Sequence, residues 1–147
     1  MKSISLLLGA CIIFSLNSCS QDFKKLNDSE IDKNKVYIAQ KFASDYLTKI
    51  KNGEEYQFQD EAIDAIKKQL NGETQKLVYE QLQTQFGDFQ SLEYAETWIQ
   101  SNSKSINIFR FKGEFEKSTR KLEIRVVLNE SDKIAGFWIK PWSDMLK

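Results

Sequence analysis

Apolar positions recur at helical spacing through the first half of the chain and at every second residue through the rest. Val36, Ala39, Ala43, Tyr46, Leu47 and Ile50, flanked by Phe42, form a stripe with a period near 3.6 residues. Asp32 or Asn34 suits its N-cap, and Asn52-Gly53 supplies a left-handed stop. Ala62, Ile63, Ile66 and Leu70 mark a shorter helix after Asp60 that ends at Asn71-Gly72. Leu77, Val78, Leu82 and Phe86 mark a third, from near Thr74 to Gly87. None of these helices is apolar all round, so each must lie on another element.

Beyond Gly87 the period is two. Segments 89–100, 105–116, 119–129 and 133–141 alternate and are rich in Ile, Val, Phe and Trp. The polar links between them are short enough for antiparallel hairpins. Helices first and strands afterwards predict an α+β domain, with the helices on one face of a curved four-stranded antiparallel meander.

Register follows from arithmetic. A two-residue turn at Lys117-Ser118 faces Phe109 with Val126, Phe111 with Ile124 and Gly113 with Leu122 on an apolar face. The other face then pairs Ile108 with Val127, Arg110 with Arg125, Lys112 with Glu123 and Glu114 with Lys121. Two opposite-charge pairs beside one clean apolar face select this register. A turn at Asn102-Ser103 places Tyr94 by Phe111, Glu96 by Phe109 and Trp98 by Asn107 inside, with Ala95 by Arg110 and Glu93 by Lys112 outside. A turn near Ser131-Asp132 places Ile124 by Ile139 and Val126 by Phe137 inside, with Arg125 by Trp138 outside.

The N-terminus has a different character. Lys2 precedes an apolar run from Ile4 to Leu16, too short for the roughly 20 residues of a membrane span but long enough for a secretory leader. Leu16-Asn17-Ser18-Cys19 resembles the lipobox of bacterial lipoproteins. The resemblance implies that residues 1–18 are a signal peptide cut before Cys19, and that Cys19 is the lipidation site and anchors the chain in a membrane. Leu8-Gly9-Ala10-Cys11 has the same form, but too few apolar residues precede it. Two or three acyl chains contribute about 0.8 kcal/mol per buried methylene, enough for stable anchoring. Residues 19–33 then read as lipidated cysteine and flexible tether, a coil of about 14 residues with a reach on the order of 20 Å. Residues 34–147 form one α+β domain. Ser20, in place of Asp, argues against retention at an inner membrane, so the expected location is the cell envelope, at the periplasmic or surface face of an outer membrane.

Composition narrows the chemistry. The 147 residues carry 21 Lys+Arg against 21 Asp+Glu, no histidine and two cysteines. Zero net charge disfavours nucleic-acid binding, which needs a basic face. Without histidine the commonest general base and metal ligand are missing. Once Cys11 leaves with the leader and Cys19 carries lipid, no thiol remains for a disulfide, a nucleophile or a sulfur metal site. No phosphate loop, nucleophile elbow or dinucleotide fingerprint is present. No cofactor or metal is expected, and no enzymatic activity.

Gln81-Leu82, Phe86-Gly87-Asp88-Phe89, the strand around 109–115, Leu122 to Leu128, and the run from Asp132 to Pro141 together resemble an uncharacterised bacterial secreted-domain family. The resemblance covers about residues 35–142. That family is grouped with the nuclear-transport-factor-2-like and cystatin-like α+β folds. It implies a sheet wrapped around helices as a cone that often holds a pocket. Enzymes of the wider group use Asp–His pairs there, which a chain without histidine lacks.

Two clusters stand out. Tyr94, Glu96 and Trp98 share the inner face in the expected register, and a carboxylate buried there would line a small-ligand pocket. On the outer face, Arg110 lies opposite Arg125, and like charges across a ladder need an offsetting carboxylate, an aromatic ring or a bound partner. With Ile108, Val127 and Trp138 beside them, this patch has the composition of an association surface, for a second copy or another envelope protein. Association through that surface is the leading expectation, and the inner pocket is the alternative.

Overall fold

The computed structural model describes residues 22–101 and 105–146. Cys11, the lipobox, Cys19 and the expected Asn102-Ser103 turn lie outside the described residues. Five antiparallel strands form one open sheet in sequence order, β1 (Phe23–Lys25), β2 (Phe89–Gln100), β3 (Asn107–Phe115), β4 (Leu122–Leu128) and β5 (Ile134–Pro141). Among the described residues, three α-helices precede the meander: α1 (Lys33–Lys51), α2 (Asp64–Gln69) and α3 (Gly72–Phe86). The α+β class and the helix-then-strand order are as the periodicity requires. The strand count is not, because the stretch read as a tether contributes a fifth, edge strand.

Strand β1 is held by main-chain pairing, with Phe23, Lys24 and Lys25 opposite Gln100, Ile99 and Trp98. Leu26 N–H donates to Thr97 at 2.9 Å, and a 3-10 turn at Asp28–Glu30 then leads into α1. Too short to show a period, β1 leaves no signal of alternation.

Helix α1 starts where a cap is available: the Asp32 carboxylate accepts from Asn34 N–H at 2.9 Å and Lys35 N–H at 3.3 Å. Its buried stripe of Ala39, Phe42, Ala43, Tyr46, Leu47 and Ile50 crosses the inner face of the sheet. Phe42 and Tyr46 meet the Phe137 ring edge-on, at 5.3 and 5.1 Å between centroids. The inner face of the sheet supplies Phe109, Phe111, Ile124 and Val126, all buried. Helix α3 turns into β2 at Gly87, whose φ of 76° and close approach to the Lys117 backbone both exclude a side chain.

The second hairpin has the expected register throughout, including Arg110 opposite Arg125. The third matches it from Ile124–Ile139 to Val126–Phe137, with Ala135 as an extra residue where Ile134 pairs with Leu128. Ile134 is therefore buried against the core rather than on the outer face. The first hairpin departs in the middle. Tyr94 pairs with Phe111 and Glu93 with Lys112 as expected, but Ala95 bulges out and Glu96 pairs with Arg110. One extra residue reverses the facing of all that follows. Thr97 takes the inner position opposite Phe109, and Trp98 lies opposite Ile108 on the outer face.

Candidate functional site on the outer sheet face

The bulge at Ala95 assembles a charged network that the straight register hides. Arg110 extends along the outer face with its side chain fully buried, and Glu123 is buried as completely. Glu123 stands between the two arginines and gives one oxygen to each. Its Oε2 accepts from Arg110 Nη2 at 2.8 Å, and its Oε1 from Arg125 Nε at 2.6 Å. Glu96 takes the other end of the Arg110 fork at Nη1. It also accepts from Trp98 Nε1 at 2.9 Å and pairs with Lys25 Nζ at 2.6 Å. Lys25 comes from β1, so the edge strand completes the chain of charges Lys25–Glu96–Arg110–Glu123–Arg125.

The C-terminal segment roofs this network. The Trp142 ring lies over the Arg110 guanidinium at 4.4 Å and beside Lys112 Nζ at 4.8 Å. The Ser143 carbonyl accepts from Arg110 Nη2. Like-charge repulsion across the β3–β4 ladder is therefore offset by a shared carboxylate and a covering ring, both within the chain. The offset comes from Glu123 and Trp142; the Trp138 ring instead occupies the space above Gly136, beside Val127.

The electrostatics follow from this geometry. Burial acts to raise the Glu96 carboxyl, but the hydrogen bonds from Lys25 and Trp98 and the Arg110 charge outweigh it and hold Glu96 below the ordinary carboxylate range. Burial likewise opposes charge on Glu123, and Arg110 and Arg125 together hold it low. Burial disfavours the Arg110 cation, yet Glu123 and Glu96 raise its affinity for the proton. All three groups stay charged at neutral pH, with their carboxylate oxygens occupied by donors.

The expected site residues are thus redistributed. Tyr94 stays on the helix side, bonded to Thr97 at 2.8 Å and edge-on to Phe111. Glu96 and Trp98 point the other way, so the three do not line one inner pocket; the bulge at Ala95 is the reason. Of the expected association surface, Arg110 and Ile108 are buried and not available to a partner. Arg125, Val127 and Trp138 are half-buried on that face. A groove of about 500 Å³ is bordered by Lys25, Glu93, Ala95, Lys112, Trp142 and Asp144, with Tyr94 and Glu96 of the expected pocket also at its rim and Trp98 not. Lys25, Trp142 and Ser143 escaped the sequence reading because no period marks them. The mismatch of Ala95 against Arg110 was the available clue, since a bulge there brings a carboxylate to the guanidinium.

Among the described residues, no three metal-binding side chains cluster, and no helix is long and apolar enough to cross a membrane. No family model, curated protein or solved structure matches the chain.

Proposed function

We propose that this chain is a non-catalytic, lipid-anchored protein of the bacterial cell envelope, whose domain associates with a second copy or another envelope component through the outer sheet face. The observation that carries the reading is the saturation of the buried network. Glu96 and Glu123 are ionised and fully engaged, so neither carboxylate is positioned to move a proton. What the network provides is a rigid, charge-patterned surface. Its exposed part runs from Trp138 and Val127 past Arg125 to the groove beside Trp142, a mixture of aromatic, aliphatic and cationic groups suited to a partner. The lipobox at Leu16–Cys19 supports membrane anchoring, and the open meander behind N-terminal helices supports kinship with the nuclear-transport-factor-2-like and cystatin-like folds.

The test uses Val127→Lys, which places a charge in the half-buried patch without touching the ion network. The reading expects wild-type protein to self-associate in light scattering, or to cross-link to an envelope partner in intact cells. The variant should lose that association with its circular dichroism unchanged. A monomeric wild type that cross-links to nothing overturns it. The alternative, a small polar ligand, moves from the interior to the outer groove, where Lys25 and Lys112 face Glu93 and Asp144.

A further inference from the structure

The domain is registered onto its own sheet almost as soon as the expected anchor ends. The Asp22 carbonyl accepts from Ser101 N–H at 2.8 Å, and Phe23–Lys25 follow in the β1–β2 ladder. If Cys19 bears the lipid, only Ser20 and Gln21 separate it from folded structure. Three residue steps span at most about 11 Å, whereas a free coil running to Lys33 would let the domain wander about 20 Å on average and far more at full stretch.

We propose that the folded domain is held directly against the bilayer at the Asp22–Ser101 corner of the sheet, with a lipid surface as the partner of that end; this rests on lipidation of Cys19. The same end of the molecule carries the β4–β5 turn and the start of α1, which the Lys35–Asp132 ion pair at 2.7 Å ties together. The opposite end carries the β3–β4 turn at Lys117-Ser118 and the α3–β2 corner at Gly87. Strand β2, with 12 residues, runs between the two ends over roughly 35–40 Å. The near end is therefore fixed at the membrane, while the far end projects toward solvent or a partner.

Charge at the near end does not do this holding. Its described side chains include Lys33, Lys35 and Lys133 against Asp22, Asp32, Glu130 and Asp132. Among the described residues no basic surface results that would attract anionic headgroups. The acyl chains supply the attachment, and the short link converts attachment into proximity.

The test exploits a mature chain whose only cysteine is the lipidated one. Ser101→Cys at the near end and Thr119→Cys at the far end are each labelled with a fluorophore in the full lipidated protein, reconstituted into phosphatidylcholine vesicles that carry a headgroup quencher. Quenching at position 101 should exceed that at 119 several-fold. Fifteen Gly/Ser residues inserted between Gln21 and Asp22 should abolish the difference while leaving the protein on the vesicles. Equal quenching at the two positions in vesicle-bound protein without the insertion overturns the proposal while leaving the anchor intact. Protein that neither incorporates labelled palmitate nor floats with vesicles overturns the anchor itself, and the proposal with it.

Discussion

Glu96 stands directly across the β2–β3 ladder from Arg110, and its carboxylate holds one end of a guanidinium whose other end is held by Glu123. Two buried carboxylates divided by one planar fork form an arrangement that lysine cannot reproduce, because an ammonium offers a point charge and no fixed spacing between donors. Arg110→Met removes the cation between the two carboxylates and leaves Glu96 with Lys25 and Glu123 with Arg125 as their remaining cations. Breaking a buried pair by deleting one partner costs about 3–5 kcal/mol, and urea midpoints should show a loss of that size. The triple change Glu96→Gln, Arg110→Met, Glu123→Leu should recover most of it, since replacing the buried charges at the centre of such a network with uncharged groups is often neutral. A single variant as stable as wild type would mean that the network is solvated in solution.

Acid should find the same residues. Both carboxylates are held below their ordinary value of 4.5. The folded state thus binds fewer protons than the unfolded chain as pH drops through this range. The stability they confer is fully present above about pH 4.5 and is lost as pH falls through their depressed folded values. Urea midpoints should be level from neutrality to near pH 5 and then decline. In Glu123→Gln the midpoint at pH 7 should be lower, and the acid decline shallower. An unchanged acid limb in that variant would assign the decline to other groups.

Much of this architecture is legible in the sequence where one face is apolar and the other charged. The β3–β4 register follows from Phe109, Phe111, Ile124 and Val126 because a slip of one residue would turn one of the two pairs out of the core. β2 was misread beyond Tyr94 because a bulge adds one residue without changing composition, and Ala95 is too small to favour either face. β1 escaped because three residues show no period and its stability comes from backbone pairing to β2. Leu77 was expected inside and is largely exposed, while Gln75 on the same helix is buried. Hydrophobicity alone ranks those two the wrong way round, since the buried position needs hydrogen bonds.

The roof over the network can be removed separately. Trp142 covers Arg110 from outside the strands, so its substitution leaves the ladder intact. Cation–π contacts contribute about 0.5–1 kcal/mol when exposed and about 2 when desolvated. Trp142→Ala should cost about 1–2 kcal/mol in urea, and Trp142→Phe clearly less. The near-ultraviolet circular dichroism should change in the alanine variant while the far-ultraviolet signal is kept. No loss in Trp142→Ala would show that the C-terminal segment does not hold this position in solution.

Gln75 makes a claim on the other side of the molecule that an apolar residue cannot meet. Its side chain accepts from Tyr56 N–H at 2.7 Å and donates to the carbonyls of Tyr56 at 3.0 Å and Leu70 at 2.8 Å. It thereby stands in for a strand partner along the loop that carries Tyr56 onto Phe42 and Tyr46. Gln75→Leu keeps the volume and removes all three bonds. A backbone group left dry in the interior costs about 1–3 kcal/mol, so the variant should fall by at least that amount. Leu77→Gln, on the exposed face of the same helix, should stay within about 0.5 kcal/mol of wild type. Amide exchange at Tyr56 should accelerate in Gln75→Leu more than at core positions of β3 and β4. A uniform change across the domain would instead mean that Gln75 supports global stability and does not hold the loop in particular.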